Sequence, residues 1–242
     1  MKKINYLILI LLAFVYACGG SSENNTKQES EEVTLENKQT VCIWNGVPVR
    51  ETPSKDGKWV SSISLGETVT FLGKVAIDSL DRNREYLYVE LSDGKVAWAN
   101  SYGLIVDGKI AVLKEDAPIY KRPDLLTITE NTFDRMDVLA IEETKDEWIK
   151  VVGEKKKLLG WIKYNTVTES KEDIAFSIMV SKELKEKDGS LILDKIEEFI
   201  EKTPYVNSIF ISYLKEALAE SKIIEEIATE EIIEESDSVT IE

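Results

Sequence analysis

Before residue 170 the chain is dominated by short alternations of apolar and polar residues, and one such pattern is made twice. Residues 84–104, REYLYVELSDGKVAWANSYGL, and residues 146–167, DEWIKVVGEKKKLLGWIKYNTV, open in the same way. The first has Tyr86-Leu87-Tyr88-Val89 and the second Trp148-Ile149-Lys150-Val151. A polar turn follows, Ser92-Asp93-Gly94-Lys95 in one and Gly153-Glu154-Lys155-Lys156-Lys157 in the other. An apolar run then ends on Trp98 or Trp161, with Tyr102 or Tyr164 close behind. Alternation on both sides of a short polar turn predicts a β-hairpin with one buried face. The tryptophans are 63 positions apart (161 minus 98), so the repeat is the size of a domain rather than of a solenoid rung.

From Ser170 the apolar period changes from two to about 3.6, the spacing of an amphipathic helix. Ile174, Ile178 and residues 180–184 predict a first helix that Asp188-Gly189 ends. Leu191, Ile192, Ile196, Phe199 and Ile200 put an apolar stripe on a second. Thr203-Pro204 reads as an N-cap with proline at the first helical position. The third helix that it opens carries Val206, Ile209, Phe210, Tyr213, Leu214, Ala217 and Leu218. These stripes suit helices that pack on one another and on the second β-unit, or a groove-binding module. Residues 223–242, IIEEIATEEIIEESDSVTIE, contain no lysine or arginine and read as an acidic, solvated tail with helical spacing.

Composition narrows the chemistry. The 242 residues include 45 acidic and 30 basic side chains, a net charge of −15. Such a chain lacks the basic face that a nucleic-acid binder needs. Histidine is absent, which removes His-assisted nucleophiles and most catalytic zinc sites together. Catalysis without histidine would need a carboxylate pair or a Ser–Lys dyad, and no motif supports either. No cofactor motif or metal-ligand spacing is present, and the tail lacks the loop spacing of an EF-hand. Cys42, in the apolar run Val41-Cys42-Ile43-Trp44, reads as a small buried hydrophobe.

The N-terminus reads as a targeting segment, residues 1–17. Lys2 and Lys3 precede an apolar run, residues 7–15, too short to span a bilayer as a mature helix. The run ends at Val15-Tyr16-Ala17-Cys18-Gly19, which resembles the lipobox of bacterial lipoproteins. That resemblance implies cleavage before Cys18 and lipidation of its thiol and amine, and several acyl chains make a stable anchor. The absence of an aspartate after Cys18 favours the outer membrane under the sorting rule of that family. Residues 18–40 then read as the lipidated cysteine and a polar, flexible tether.

The two repeats resemble bacterial SH3-like domains. Asn45-Gly46-Val47-Pro48-Val49-Arg50-Glu51-Thr52-Pro53-Ser54 is similar to the opening motif of that family, and Leu65-Gly66-Glu67-Thr68 to its Gly-Glu turn. In the second copy, Ala117-Pro118-Ile119-Tyr120-Lys121-Arg122-Pro123-Asp124 occupies the opening, with Tyr120 in place of the arginine and Asp124 in place of the serine. The resemblance implies two small SH3-like β-barrels at 41–107 and 108–169, and with the helical region at 170–222 and the tail at 223–242 the chain is expected to be mainly β plus α.

It also implies a non-catalytic cell-envelope protein that binds peptidoglycan or its peptides. In that family such modules accompany NlpC-type cysteine peptidases, whose Cys–His pair this chain cannot supply. Exposed aromatics at a barrel mouth offer flat apolar surface at low entropic cost, with carboxylates nearby for amine recognition. The candidates are Trp44, Tyr86, Tyr88, Trp98 and Tyr102 in the first unit, and Trp148, Trp161 and Tyr164 in the second. Trp98 and Trp161 also suit the core, since a small barrel depends on a few large side chains. Tyr88, opposite in phase to Val89, is expected on the outer face. The expected partners are the membrane, through the lipid, and peptidoglycan. The alternative is a scaffold contacting an envelope protein through the C-terminal helices.

Overall fold

The structure, a computed structural model, describes residues 37–186 and 189–238. Cys18 and the targeting segment lie outside the described residues. The first β-unit contains β1 (Lys38–Cys42), β2 (Val47–Arg50), β3 (Trp59–Ile63), β4 (Thr68–Asp78), β5 (Arg84–Glu90), β6 (Val96–Asn100) and β7 (Leu104–Val106). The second contains β8 (Lys109–Leu113), β9 (Ala117–Tyr120), β10 (Ile128–Phe133), β11 (Val138–Lys145), β12 (Trp148–Gly153), β13 (Leu159–Lys163) and β14 (Val167–Thr168). Each forms a seven-stranded antiparallel sheet, and the orders β3-β2-β6-β5-β4-β1-β7 and β10-β9-β13-β12-β11-β8-β14 correspond strand for strand. The repeat legible in the hairpins therefore extends over the whole of both units. Strand β1 starts at Lys38, inside the stretch read as tether. Its residues Lys38, Gln39 and Thr40 pair with Phe71, Thr70 and Val69, and Thr40 is fully buried.

Both predicted hairpins are present. Tyr88 faces Trp98 and Val89 faces Ala97 across β5–β6, while Lys150 faces Trp161 and Val151 faces Gly160 across β12–β13. Alternation buries one side of each hairpin: Leu87, Val89, Ala97 and Ala99 in the first, Ile149, Val151 and Ile162 in the second. Gly160 sits where Ala97 sits in the first copy, because a Cβ there would meet Ile119 Cγ2 at 2.4 Å. Strand β4 shifts register between Phe71 and Val75, where Gly73 supplies a φ of 73°. One long strand thereby bends and pairs with both β1 and β5.

The two units share an apolar seam. Val41, Ile43 and Ile105 of the first pack with Ala140 and Val152 of the second.

The C-terminal region holds α1 (Lys171–Glu183), α2 (Ile196–Lys202) and α3 (Phe210–Ser238). Ser170 caps α1 by accepting from Asp173 N at 3.4 Å, and Glu172 and Asp173 place negative charge in its first turn. Phe176, Val180, Leu184, Ile196, Phe210 and Leu214 form a core with Val112 and Met136 of the second β-unit. The helices thus pack on one another and on that unit. Ile178 also reaches the first unit, where a Cβ on Gly66 would come within 2.6 Å of its Cδ1.

Helix boundaries depart from the expected ones in three places. Helix α1 stops at Glu183 rather than at Gly189, because Lys185 turns out to bridge Leu191. For the same reason Leu191 and Ile192 precede α2 instead of opening it, and Ile192 N donates to Leu184 O at 2.8 Å. Thr203 closes α2, its N–H donating to Phe199 O, and does not open α3. The signal at α3 is non-local: Asp173, 4% exposed, accepts from Ser208 Oγ and Ile209 N at 3.0 Å each, just ahead of Phe210. Helix α3 continues without a break to Ser238, through most of the stretch read as a tail.

Candidate functional site

Gly103 opens the site by letting three segments meet. A Cβ at this position would lie 2.3 Å from Val47 Cγ2 and 3.3 Å from Trp44 Cβ, so only glycine lets the turn before β7 settle against the β1–β2 connection. The contact is secured by Ile43 N donating to Gly103 O at 3.0 Å. Asn100 Oδ1 accepts from Tyr102 N at 2.9 Å and shapes the 3-10 turn that presents the Tyr102 ring. The Cys42 thiol donates to Trp44 O at 2.9 Å and fixes the other wall. Trp44 and Tyr102 then meet edge to face, with centroids 4.9 Å apart.

This pair lines an open cleft of about 660 Å³ together with Asp81, Arg82, Arg84 and Glu85 of the β4–β5 region. Tyr102 is half exposed, at 50%. The remaining wall comes from the second unit: Lys156, on the β12–β13 turn, has its Nζ 5.3 Å from the centre of the Tyr102 ring. The cleft therefore combines an aromatic edge with both signs of charge. Arg84 Nε and Asp81 Oδ2 form an ion pair at 2.8 Å. Burial pushes the Lys156 ammonium below the ordinary lysine value, against the attraction of Glu142 and Glu85.

The other candidates separate into distinct environments. Tyr88 and Trp98 pair at 5.0 Å on the outer face of the first sheet, both half-buried, with Lys74 Nζ 5.6 Å over the Tyr88 ring. Trp98 and Trp161 belong to neither buried core cluster, so their side chains face outward. They are not the core residues that small-barrel packing suggested, because Ala97 and Ala99, and Ile162 in the second copy, occupy the inward positions of those strands. Tyr86 and Trp148 are 2% and 6% exposed and offer no open contact surface. They share the strand face of Tyr88 and Lys150, opposite the core side of Leu87 and Ile149, but are covered there, and burial raises the Tyr86 hydroxyl above its ordinary pKa.

Trp148 packs edge to face on Tyr120 at 4.9 Å, with Lys163 Nζ 3.8 Å above its ring. Tyr164 is exposed and donates to Glu169 Oε1 at 2.8 Å, away from the cleft. Sequence reasoning missed Trp59, 61% exposed on β3, and the cleft's Arg82 and Lys156. The cations gave no signal because two separate turns had to converge on them.

Among the described residues no cluster of three or more metal-ligating side chains occurs, and no helix is long and apolar enough to cross a membrane.

No family model matches the chain, and no curated protein matches it. Among solved structures it is similar to NlpC2 from Trichomonas vaginalis, at 13% identity over 56% of this chain and 49% of that one, with a TM-score of 0.25. NlpC1 from the same organism is 12% identical over 68% of this chain and 52% of that one, also at 0.25. This chain thus spans about half the length of each. Likenesses at that level support no argument about fold or function.

Proposed function

We propose that the protein is a lipid-anchored, non-catalytic binding protein of the bacterial cell envelope. Its two sheets are SH3-like barrels, and its first unit binds peptidoglycan or the peptides of peptidoglycan. The observation that carries this reading is the Trp44–Tyr102 cleft, which offers an apolar edge beside charges of both signs. A peptide stem has the matching chemistry, apolar side chains between ionised ends. The lipobox resemblance at Cys18 supports the anchor, and the order of strands, with the bend at Gly73, supports the barrel. Full-length protein in detergent should pellet with purified sacculi, and Trp44→Ala with Tyr102→Ala should release it. Wild-type protein left in the supernatant would sink the proposal.

A second reading has its own observation. Ile223, Ile224 and Ile227 on α3 are each more than half exposed, which suits a scaffold docking an envelope protein through that helix. It predicts sacculus binding by neither variant nor wild type, and a crosslinked partner that Ile224→Glu abolishes.

A further inference from the structure

The second β-unit lends the first a wall of its cleft. Lys155 N donates to Ile43 O at 2.9 Å, and the Tyr102 hydroxyl donates to Lys155 O at 3.3 Å. These bonds hold the β12–β13 turn against the mouth of the first unit. Lys155 and Lys156 have φ values of 58° and 52°, a left-handed conformation that strains residues other than glycine. The apolar seam of Val41, Ile43 and Ile105 with Ala140 and Val152 fixes the two units so that this conformation is kept. Strain maintained beside a cleft is a mark of a positioned side chain.

The charges in the cleft are not equally committed. Arg84 is paired with Asp81. Lys156 makes no ion pair among the described residues, and its ammonium lies over the Tyr102 ring. Glu85 and Glu142 attract it without forming a contact ion pair. An ammonium that has given up part of its hydration without gaining a counter-ion favours an anionic ligand group.

We infer that the tandem repeat builds one composite site rather than two: Lys156 receives the terminal carboxylate of a peptide whose apolar part lies on Trp44 and Tyr102. This rests on the wall-binding reading and deepens it by naming the group recognised. The second unit has no counterpart to the site. Lys114-Glu115-Asp116 joins β8 to β9 where Ile43-Trp44-Asn45-Gly46 joins β1 to β2, and the β11–β12 turn is residues 146–147 alone.

The test uses full-length protein in detergent and the pentapeptide L-Ala-γ-D-Glu-L-Lys-D-Ala-D-Ala, as its free acid and as its C-terminal amide, with calorimetry as the readout. Wild type should bind the acid about tenfold more tightly than the amide, the value of one charge-assisted contact. Lys156→Gln should abolish the preference for acid over amide, while Lys156→Arg keeps it. A wild type that binds acid and amide alike, or a Lys156→Gln that keeps the preference, overturns the composite site while sacculus pelleting still stands. Sacculus binding without binding of either peptide also overturns it. Loss of wild-type pelleting fails the wall-binding reading, and the composite site with it. Unchanged unfolding temperature and near-ultraviolet dichroism certify the Lys156→Gln fold.

Discussion

The two β-units share strand order, register and most core positions, yet they present different surfaces. In the first, Arg50 lies between Trp59 and Trp98 on neighbouring strands and ties down the β2–β3 loop by donating from Nη1 to Gly57 O at 2.7 Å. In the second, Tyr120 takes that position opposite Trp161 and packs against Trp148 on the same outer face, where it is only 8% exposed. The first spends its connections on an open cleft, and the second presents Val112 and Met136 to the helices. Duplication of a fold therefore preserves the inward set of residues, which packing constrains, while the outward set is free to diverge. One copy presents an open cleft and the other a platform for the helices.

That contrast can be broken most severely at the paired opening positions. Tyr120→Ala removes a buried ring and should cost about 3–4 kcal/mol. Arg50→Ala loses a hydrogen bond and should cost about 1–2 kcal/mol. Denaturant melts of the two variants measure the difference, and equal costs would mean that the Tyr120 ring is not buried.

The turn before the last strand gives the next largest effect. Gly103→Ala drives a Cβ into Val47 and should destabilise by about 1–3 kcal/mol, with sacculus binding lost as well. Thr166→Ala, at the matching place in the second copy, gives up only the bond to Lys163 O, about 1 kcal/mol, and should bind normally.

Single aromatic deletions sharpen the comparison further. Trp44→Ala or Tyr102→Ala should each weaken wall binding about tenfold, the loss typical of an aromatic anchor. Trp161→Ala and Tyr164→Ala should leave binding unchanged in the same titration. A matching loss from the second pair would restore two equivalent sites.

The smallest effect concerns Cys42, which takes the place of Leu113. Burial raises its thiol to about 11, against a smaller lowering from the backbone of Trp44. The native state thus favours the neutral thiol. Its contribution is complete below the unfolded value near 9.0 and is lost as pH rises through about 11. Native protein at pH 8 should resist iodoacetamide at this thiol, and Cys42→Ala should flatten the fall in stability between pH 9 and 11, on the order of 1 kcal/mol at pH 10. Rapid native alkylation at Cys42 would show the thiol to be accessible.

Much of this was legible in the chain. The period of two around Val89 and Val151, the turn at Asp93-Gly94 and the switch to 3.6 after Ser170 determined the two hairpins and the helical region. Absence of histidine restricted the chemistry, and alternation put Tyr88 outside and Val89 inside. The boundary at Thr203 was misread because a local capping signal competes with a distant one, and Asp173 supplies a better-placed acceptor from α1. Trp98 and Trp161 were ambiguous because a large ring satisfies either face of a strand. What only the tertiary structure decided is the cleft: Trp44, Arg82, Tyr102 and Lys156 come from four separate connections. No periodicity relates them, and the seam between Ile43 and Val152 brings the last of them to the other three.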